Sequence, residues 1–502
     1  MLRIYDSRTR ALVPLAPSDP ERGVRVYWCG PTVYDHLHIG HARAAIVPDM
    51  VRRWLEASGH LVRYVANFTD VDDKIIARSI ATGRPWREIT QHHIDEYHRL
   101  MVAIGNRPAD VHPRATDHVP EMRDLVARLI ARDHAYVAAD GDVYFDTKSL
   151  ATYGALSHRD LDAQESQGRI GEGRLAVKRQ PADFILWKLL ANDPEAWKQA
   201  GPRSVPGWDS PWGKGRPGWH LECSVLSRQY LGMPFDIHGG GMDLLFPHHE
   251  NERAQNEGGH ADELCGHESV RIWMHNAFIR LRPEDTGAAV PPSDDGEDPL
   301  KMSKSKGNVV WLHELIWPAG SLDPMALRLM VLSSHYRSPI DYHAGMLAQH
   351  AAYLDRVYGA LEALGQAAGA TLADGEPPDA VAAATRAFAD AMDDDFGTPK
   401  AIAAWSPLVS GAAAIAEAGP RAAAHAKRAL EGMMRTLGLR VAREVRASAE
   451  AEKPLLDLVL ELRKGARATK QFAVSDRIRD ALTAMKYELR DRPDGGTDVT
   501  RG

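Results

Sequence analysis

Cysteine is scarce in this chain. Only Cys29, Cys223 and Cys265 occur among the 502 residues, far apart in sequence and odd in number. Three such thiols are a poor basis for a disulfide framework, which excludes the class of small disulfide-stapled secreted domains. The pattern is typical of a reducing compartment, where thiols remain free to bind a metal or to take part in catalysis.

Long apolar runs are also missing. No stretch of about 18 consecutive apolar residues occurs, and the first 20 residues carry charge throughout. Neither a membrane span nor a secretory signal peptide is therefore predicted. We expect a cytoplasmic location and no membrane partner.

The chain has no overall excess of positive charge. Its net charge of −7 argues against a protein that coats nucleic acid indiscriminately. Residues 421–502 differ from the rest, because they contain 18 Lys and Arg against 12 Asp and Glu. This basic end on an acidic body favours an anionic partner near the C-terminal part, with ordinary solvated helix faces as the alternative.

The N-terminal part of the chain reads as an α/β domain. Residues 24–29 read as a short buried strand, followed by a glycine turn, a helix that ends at Gly59 and a second strand over residues 60–70. This order begins a doubly wound, Rossmann-type parallel sheet, whose ligands bind beyond the carboxyl ends of the strands. We predict a catalytic domain over residues 1–275, with an insertion at about residues 110–215.

The rest of the chain reads mainly as helices. Residues 276–345 include a loop rich in Pro, Gly and Asp at 282–300, for which we predict no regular structure. Residues 346–445 are alanine-rich and amphipathic, which predicts a helical bundle. Residues 446–502 predict a small basic tail domain, in which residues 454–502 contain a helix, a second short helix at 475–486 and a frayed end.

The segment HLHIGHAR, residues 36–43, follows the first predicted strand. His38 and His41 lie three residues apart at the start of a helix, where their imidazoles and the backbone of Gly40 can face an anionic ligand. Taken alone, the pattern favours a structural helix cap over a binding site.

The segment KMSKSKGN, residues 301–308, places Lys301, Lys304 and Lys306 close together in a loop. Lysines that repel one another are tolerated in solvent or around a shared polyanion such as a triphosphate, whose developing charge they would stabilise. Taken alone, the segment favours a solvated loop.

Cys29, Cys223, His248 and Glu252 carry side chains that Zn²⁺ accepts as ligands. The segment DLLFPHHENERAQNE, residues 243–257, reads as a charged helix, on which His248 and Glu252 share one face. The alternative is a pair of buried cysteines and a surface helix, and sequence spacing alone favours that alternative.

Together, the segments HLHIGHAR and KMSKSKGN resemble the HIGH and KMSKS signatures, respectively, of class I aminoacyl-tRNA synthetases. The chain is similar to the cysteinyl-tRNA synthetase family in particular, in the family's order, from about residue 20 to 345. The blocks that carry this resemblance are WCGPTVYDHLHIGHAR, NFTDVDDKII, RPGWHLECS, DIHGGGMDLLFPHHENERAQ and KMSKSKGN. Further similarity through the C-terminal half lies in LSSHYRSPIDY, MDDDFGTPKAI and SDRIRDAL.

The resemblance implies a metal site that selects the amino acid. It assigns one Zn²⁺ per chain to the ligands Cys29, Cys223, His248 and Glu252, with the thiolate of the substrate cysteine joining them. It also implies that Thr69 and Trp219 line the cysteine pocket beside Cys29 and His248, although core packing is an alternative for Trp219. His249 is expected not to be a ligand but to lie behind the ligands or to face the substrate.

The resemblance also implies an ATP site. The implied catalytic residues, which stabilise phosphate charge, are His38, His41, Lys301 and Lys304. The implied ATP-binding residues are Gly40, His38, His41, Gly239, Gly240, Asp243 and Lys304, with Asp236, His238 and Gly241 in the same block. Mg²⁺ is expected to arrive with ATP.

The activity implied by the resemblance is ligation of L-cysteine to tRNA-Cys in two ATP-dependent steps, by an enzyme expected to be a monomer. Two alternatives remain. An ATP-dependent cysteine ligase of the mycothiol-pathway type shares the zinc and ATP blocks but acts on a small amino sugar and is shorter than this chain. A non-catalytic paralogue that binds zinc and RNA is disfavoured by the presence of both signature histidines and of Lys304.

Overall fold

The structure is a computed structural model, and it describes residues 1–159, 177–281, 302, 308–317, 323–443, 449–484, 487–492 and 497–501. The chain forms two units, Met1–Ala442 and Arg443–Gly502. Lys301, Lys304 and the loop 282–300 lie outside the described residues, so the predictions made for them stay predictions. The domain boundaries predicted at residues 275, 345 and 445 stay predictions as well.

The first unit alternates strands and helices. Its described strands are β1 (Arg3–Asp6), β2 (Ala11–Pro14), β3 (Val24–Trp28), β4 (Val62–Ala66), β5 (Ala135–Val137), β6 (Val143–Phe145), β7 (Phe184–Leu189), β8 (Gly215–Pro217), β9 (Phe235–Gly241), β10 (Val270–Asn276), β11 (Ile279–Leu281) and β12 (Ile340–Tyr342). Its described helices are α1 (Ile39–Ala57), α2 (Asp73–Thr82), α3 (Trp86–Ala103), α4 (Val119–Ala131), α5 (Glu195–Ala200), α6 (Trp219–Leu231), α7 (Glu250–Leu264), α8 (Leu312–Ile316), α9 (Pro324–Leu332), α10 (Gly345–Ala368), α11 (Asp379–Asp393), α12 (Thr398–Ala404), α13 (Ser406–Ser410), α14 (Ala412–Glu417) and α15 (Pro420–Thr436).

Four parallel strands form the central sheet, in the order β10, β9, β3, β4. The helix α1 connects β3 to its neighbour β4, and α7 connects β9 to its neighbour β10. Because these two connections run outward in opposite directions, the strand order reverses between β3 and β9, as in a doubly wound fold. The predicted Rossmann-type parallel sheet is confirmed, and its ligand crevice is expected at the carboxyl ends of β3 and β9.

Helices cover both faces of this sheet. Val26 and Trp28 of β3 belong to the apolar cluster that contains α1, whereas Tyr27 packs in a second cluster with Cys223 and Leu226 of α6. Successive side chains of a strand point to opposite faces, so this division places α1 and α6 on opposite sides. All five residues of β3 are buried as a result.

The insertion between β4 and β9 contains an antiparallel sheet in the order β5, β6, β7, β8. Phe145, Phe184 and Trp187 form part of its core, and Phe145 stacks on Phe184 with ring centroids 4.9 Å apart. The sequence predicted only short strands among loops here, because the pairing of distant strands leaves no local pattern.

The last part of the first unit is helical, as predicted. The helices α10 and α15 pack on each other through apolar faces that include Leu361, Leu364, Leu430 and Met434. The helix α10 is the longest described one, with 24 residues. None of the described helices is both long and apolar enough to cross a membrane.

The second unit contains helices α16 (Ala449–Ala468) and α17 (Phe472–Ala484) and strands β13 (Tyr487–Asp491) and β14 (Thr497–Arg501). The two strands pair in antiparallel fashion, so the predicted frayed end is wrong. Asp491 accepts hydrogen bonds from Arg463 at 2.6 Å and from Arg479 at 2.5 Å. These contacts join the strand to both helices, and a local sequence pattern does not reveal them.

A stability prediction follows from Gly239 in β9. A Cβ atom at this position would lie 2.0–2.5 Å from the ring of Trp28 on the neighbouring strand, and that ring is buried. We expect Gly239→Ala to lower the free energy of unfolding by about 1–3 kcal/mol in urea denaturation followed by circular dichroism. The control is Gly359→Ala in α10, where a Cβ atom meets nothing within 4 Å. Equal destabilisation by both variants would contradict the packing role of Gly239.

Candidate active site

The candidate site lies where β3 and β9 end. Cys29 directly follows β3, and its backbone N–H donates to the carbonyl oxygen of Gly239 at 3.1 Å. Asp243 lies just beyond β9, in a short exposed turn. Both residues thus reach the crevice that a doubly wound sheet offers to ligands.

The four predicted metal ligands come together at this place. The Sγ atom of Cys29 lies 3.5 Å from Sγ of Cys223 and 3.6 Å from Oε1 of Glu252. Nε2 of His248 lies 3.0 Å from the same carboxylate oxygen. The four candidate ligand atoms are all within 4.8 Å of one another, and three of the four residues are buried. Two thiols, an imidazole and a carboxylate form a donor set that suits Zn²⁺.

The backbone around His248 differs from the predicted continuous helix. Phe246 has extended torsion angles (φ −142°, ψ 133°), and the regular helix α7 begins only at Glu250. The backbone is nevertheless helical from His249 as far as Gly259, before non-helical torsion angles at His260. His248 and Glu252 therefore still meet one turn apart, as their spacing predicted.

The four candidate ligand side chains have pKa values that are shifted in different directions. Burial opposes charge on His248, but Glu252 and Cys223 raise its pKa to about 10. Burial also opposes ionisation of Glu252, yet His238 and His248 lower its pKa to about 2. Burial and a hydrogen bond with Cys223 raise the pKa of Cys29 well above its ordinary value. Burial also opposes ionisation of Cys223, but its hydrogen bond with Cys29 and its interactions with His248 together lower its pKa to about 6. Because metal ligands bind deprotonated, a cation entering this site must displace protons from Cys29 and His248.

Further histidines surround the ligands. Nδ1 of His220 lies 2.9 Å from Nδ1 of His248, and Nε2 of His238 lies 2.7 Å from Oε2 of Glu252. Contacts of this kind fix the orientation of a ligand's ring or carboxylate. The nitrogens of His249 lie 3.3 Å from Sγ of Cys29 and 2.8 Å from Nε2 of His275.

His249 lies closer to the candidate ligands than its place in the sequence suggested. Together with Cys29, His238 and Glu252 it forms a second group whose ligand atoms lie within 4.8 Å of one another. Geometry alone therefore allows two ligand sets that share Cys29 and Glu252. The expectation that His249 is not a ligand stays a prediction.

Trp219 and Thr69, which are predicted for the cysteine pocket, differ in their exposure and in their contacts. Trp219 is 38% exposed, and its ring stacks on His248 with centroids 4.2 Å apart. This exposure argues against the alternative of core packing. Thr69 is buried, and its hydroxyl donates to Oε2 of Glu222 at 2.6 Å.

His38 and His41 cap the helix α1. Nδ1 of His38 accepts from the backbone N–H of Gly40 at 3.1 Å, and Nδ1 of His41 accepts from the backbone N–H of His38 at 3.2 Å. This reciprocal pair is a capping box, which satisfies donors that a helix N-terminus leaves unpaired. The capping role considered from the sequence is thus real, and it orients both rings at the positive end of the helix.

The segment DIHGGGMDL, residues 236–244, which the resemblance assigns to ATP binding, has two polar side chains that are buried. Asp236 is buried, and its carboxylate accepts from the backbone N–H groups of Ser18 at 2.5 Å and Arg25 at 2.8 Å. His238 is buried against Glu252. The side chains of Asp236 and His238 are therefore held by contacts inside the protein, and the role in ATP binding implied for their sequence block stays a prediction.

Several residues of the site escaped sequence reasoning. His220 and Glu222 flank predicted residues in GWHLECS, and proximity to Cys223 was the available signal. His275 was not considered, although it lies near the end of β10, beside the ligand strand β9. A histidine at the carboxyl end of a parallel strand is the signal that would have identified it.

Comparisons with known proteins give a consistent result. A family model described as the tRNA synthetases class I (C) catalytic domain matches residues 16–352, and a DALR domain model matches residues 387–442. A cysteine–tRNA ligase of Magnetococcus marinus is 40% identical, over 98% of this chain and 97% of its own length. A cysteine–tRNA ligase of Cupriavidus taiwanensis is 41% identical, over 100% of this chain and 99% of its own length.

Solved structures show the same fold at low identity. A Mycobacterium tuberculosis methionyl-tRNA synthetase with methionyl-adenylate matches with a TM-score of 0.56 and 16% identity, over 82% of this chain and 89% of its own. A LeuRS of Agrobacterium radiobacter K84, in a ternary complex with tRNA and LeuAMS, matches with a TM-score of 0.59 and 14% identity, over 84% and 85%. At these identities the likeness concerns the fold alone.

Proposed function

Because this chain belongs to the cysteine–tRNA ligase family of class I aminoacyl-tRNA synthetases, we propose that the site at Cys29 binds zinc and selects cysteine for ligation to tRNA-Cys. The chain is an ATP-dependent cysteine–tRNA ligase, and its substrates are an amino acid, ATP and tRNA. The observation that carries the proposal for the site is the meeting of Cys29, Cys223, His248 and Glu252 at the crevice of the sheet. That the enzyme acts as a cytoplasmic monomer stays a prediction from the sequence.

The donor set favours zinc and the ligand group with two thiols. Zn²⁺ prefers sulfur, and of the two geometrically possible groups only the one with Cys223 supplies two cysteines. In this assignment His220 orients His248, and His238 orients Glu252. When bound, Zn²⁺ would lower the pKa of a substrate thiol and would bind sulfur in preference to a hydroxyl oxygen.

The surrounding residues would enclose and orient the amino acid. Trp219 covers His248 from the exposed side and can close over a small side chain. Thr69 forms a buried polar pair with Glu222, which directly precedes Cys223 in the chain.

The first step would form cysteinyl-adenylate. A carboxylate oxygen of cysteine attacks the α-phosphorus of ATP, a new O–P bond forms, and pyrophosphate leaves with the electrons of the broken P–O bond. His38 and His41 lie at the N-terminus of α1, where they and the backbone of Gly40 can stabilise phosphate charge. Lys301 and Lys304 would act on the same charge, an assignment that comes from the sequence alone. Mg²⁺ is expected to accompany ATP.

The second step would transfer the cysteinyl group. The ribose hydroxyl at the 3′ end of tRNA attacks the carbonyl carbon of the adenylate and forms a new C–O bond. AMP leaves with the electrons of the broken C–O bond, and its phosphate can take up the hydroxyl proton. The exposed turn that contains Asp243, together with the backbone of Gly239 and Gly240, would hold the nucleotide at the end of β9. Positioning and charge stabilisation suffice for both steps, and neither needs a side-chain nucleophile.

Cysteine charging tests the proposed acceptor. We expect the purified protein to attach radiolabelled cysteine to tRNA with a GCA anticodon and not to a small aminoglycoside amine, because the chain matches cysteine–tRNA ligases over their full length and contains a DALR domain. The measurement is acid-precipitable label for the tRNA and mass spectrometry for the amine. Transfer to the amine with no charging of the tRNA would establish the amino-sugar ligase instead.

A further inference from the structure

A second cluster of potential metal ligands lies beside α1, in residues that the ligase reaction does not use. We call it the His36 cluster, and it contains His36, Glu96 and His313. His36 comes from the loop before α1, Glu96 from α3 and His313 from α8. One ligand atom from each residue lies within 4.8 Å of the other two.

Backbone contacts hold the three segments together. The N–H of Leu312 donates to the carbonyl oxygen of Leu37 at 2.8 Å, and His38 forms a β-bridge with Trp311. The residues next to His36 and His313 are therefore paired as in a small sheet. The ring centroids of His36 and His313 lie 4.4 Å apart, so the two imidazoles occupy one side of this contact.

The carboxylate of Glu96 is held at the centre of the cluster. Glu96 is buried, its Oε1 atom lies 2.7 Å from Nδ1 of His36, and its Oε2 atom lies 3.0 Å from Nδ1 of His93. His93 thus fixes the orientation of the carboxylate from behind, as residues behind metal ligands do. The remaining oxygen, Oε1, faces both His36 and His313.

One buried nitrogen atom of the His36 cluster has no hydrogen-bond partner among the described residues. Within the described part of the chain, Nδ1 of His313 is a buried nitrogen without a hydrogen-bond partner, and it lies 3.9 Å from Oε1 of Glu96. That separation is too long for a hydrogen bond, but it is within the roughly 4.2 Å that two atoms bound to one ion can span. The side chains of His36 and His313 are 39% and 27% exposed, so an ion can enter and both rings can turn towards it.

We propose that His36, Glu96 and His313 bind a second divalent transition-metal ion, such as Zn²⁺, Co²⁺ or Ni²⁺, distinct from the ion at Cys29. Two imidazoles and one carboxylate suit these ions, and the remaining coordination positions would hold water. The bound ion would cross-link three segments that are distant in sequence, including the one that leads into the capping histidine His38. The site has no sulfur ligand, which makes it spectroscopically different from the site at Cys29.

Cobalt titration tests this proposal on the full-length protein with one equivalent of zinc already bound. At slightly alkaline pH, where imidazoles are neutral, we expect one further equivalent of Co²⁺ to bind. It should produce visible d–d absorption without the near-ultraviolet band of sulfur-to-cobalt charge transfer. A second equivalent that shows the sulfur band, or no second equivalent at all, would overturn the proposal. The sulfur band reports on the catalytic site separately, so this result does not depend on the proposed ligase activity.

Single variants locate the ion. We expect His36→Ala, Glu96→Gln and His313→Ala each to lower the affinity for the second equivalent of Co²⁺ more than about 100-fold. The variant His93→Ala should lower this affinity about 10- to 100-fold, because His93 only orients the ligand Glu96. In all four variants, binding of the first equivalent of zinc and the circular dichroism spectrum should be unchanged. His267→Ala, at an exposed histidine outside the cluster, is the control and should bind both equivalents.

The same variants also test a competing location. Glu96 belongs to another group of candidate ligands, with His92 and His93. We expect His92→Ala to keep the second equivalent, because His92 lies outside the proposed set. Loss of that equivalent in His92→Ala, with retention in His313→Ala, would place the ion in the other group and refute the proposal.

Discussion

Cys223→Ser is expected to abolish zinc retention and cysteine activation together. Cys223 is buried on α6, and its Sγ atom lies 3.5 Å from that of Cys29. A serine hydroxyl stays protonated and is a poor ligand, so we expect zinc affinity to fall more than about 100-fold, beyond the loss typical of residues that only orient a ligand. Zinc content is measured by mass spectrometry after dialysis, and activation by cysteine-dependent exchange of pyrophosphate into ATP.

Cys265→Ser is the matched control for this experiment. Cys265 is exposed, and it lies at the C-terminal end of α7, outside both candidate ligand groups. We expect this variant to retain zinc and full exchange activity. A Cys223→Ser protein that has lost zinc but activates cysteine normally would show that the metal has a structural role only. His249→Ala distinguishes the two ligand groups, because it should retain zinc if Cys223 and His248 are the ligands.

Serine is expected to be rejected by about 10⁴-fold or more relative to cysteine in the exchange of pyrophosphate into ATP. A site built to bond one group of its substrate discriminates strongly against an analogue that cannot form the bond. In the proposed site this group is the thiol, which would bind the same zinc ion as Cys29 and His248. The measurement is kcat/KM for each amino acid in the zinc-loaded protein.

Alanine is the informative comparison for serine. If discrimination depends on the thiol, serine and alanine should be equally poor substrates, since neither bonds to zinc. Removal of zinc with a chelator should lower activity with cysteine towards the level of the other two. Comparable activity with serine and cysteine would refute selection by the metal.

The sequence alone was sufficient for the fold class and for the identity of the four candidate ligands. A short buried strand, a glycine turn and an amphipathic helix are local patterns, because side-chain periodicity follows from backbone geometry. The ligands were identified through long sequence blocks such as RPGWHLECS and not through spacing, since Cys29 and Cys223 lie 194 positions apart. Their meeting depends on β3 and α6 packing together, which the structure supplies.

Predictions from local sequence patterns were wrong or incomplete where contacts between segments distant in sequence determine the structure. The end of the chain was predicted to be frayed, but it forms the strand β13, where Asp491 accepts hydrogen bonds from Arg463 of α16 and Arg479 of α17. Asp236 and His238 matched a nucleotide block, but packing turned both side chains inward. In each case the deciding contact joins segments whose approach is not encoded in their own periodicity.

The sequence by itself determined the chemistry that this protein can offer: two thiols, an imidazole and a carboxylate in recognisable blocks, and a parallel sheet to hold them. Only the tertiary structure decided which of these side chains lie within a few ångströms of one another. It placed His249 against Cys29, and it brought His36, Glu96 and His313 together from three separate segments. The physical reason is that ligand geometry depends on distances of a few ångströms, and these are set by packing between elements rather than by the order of residues along the chain.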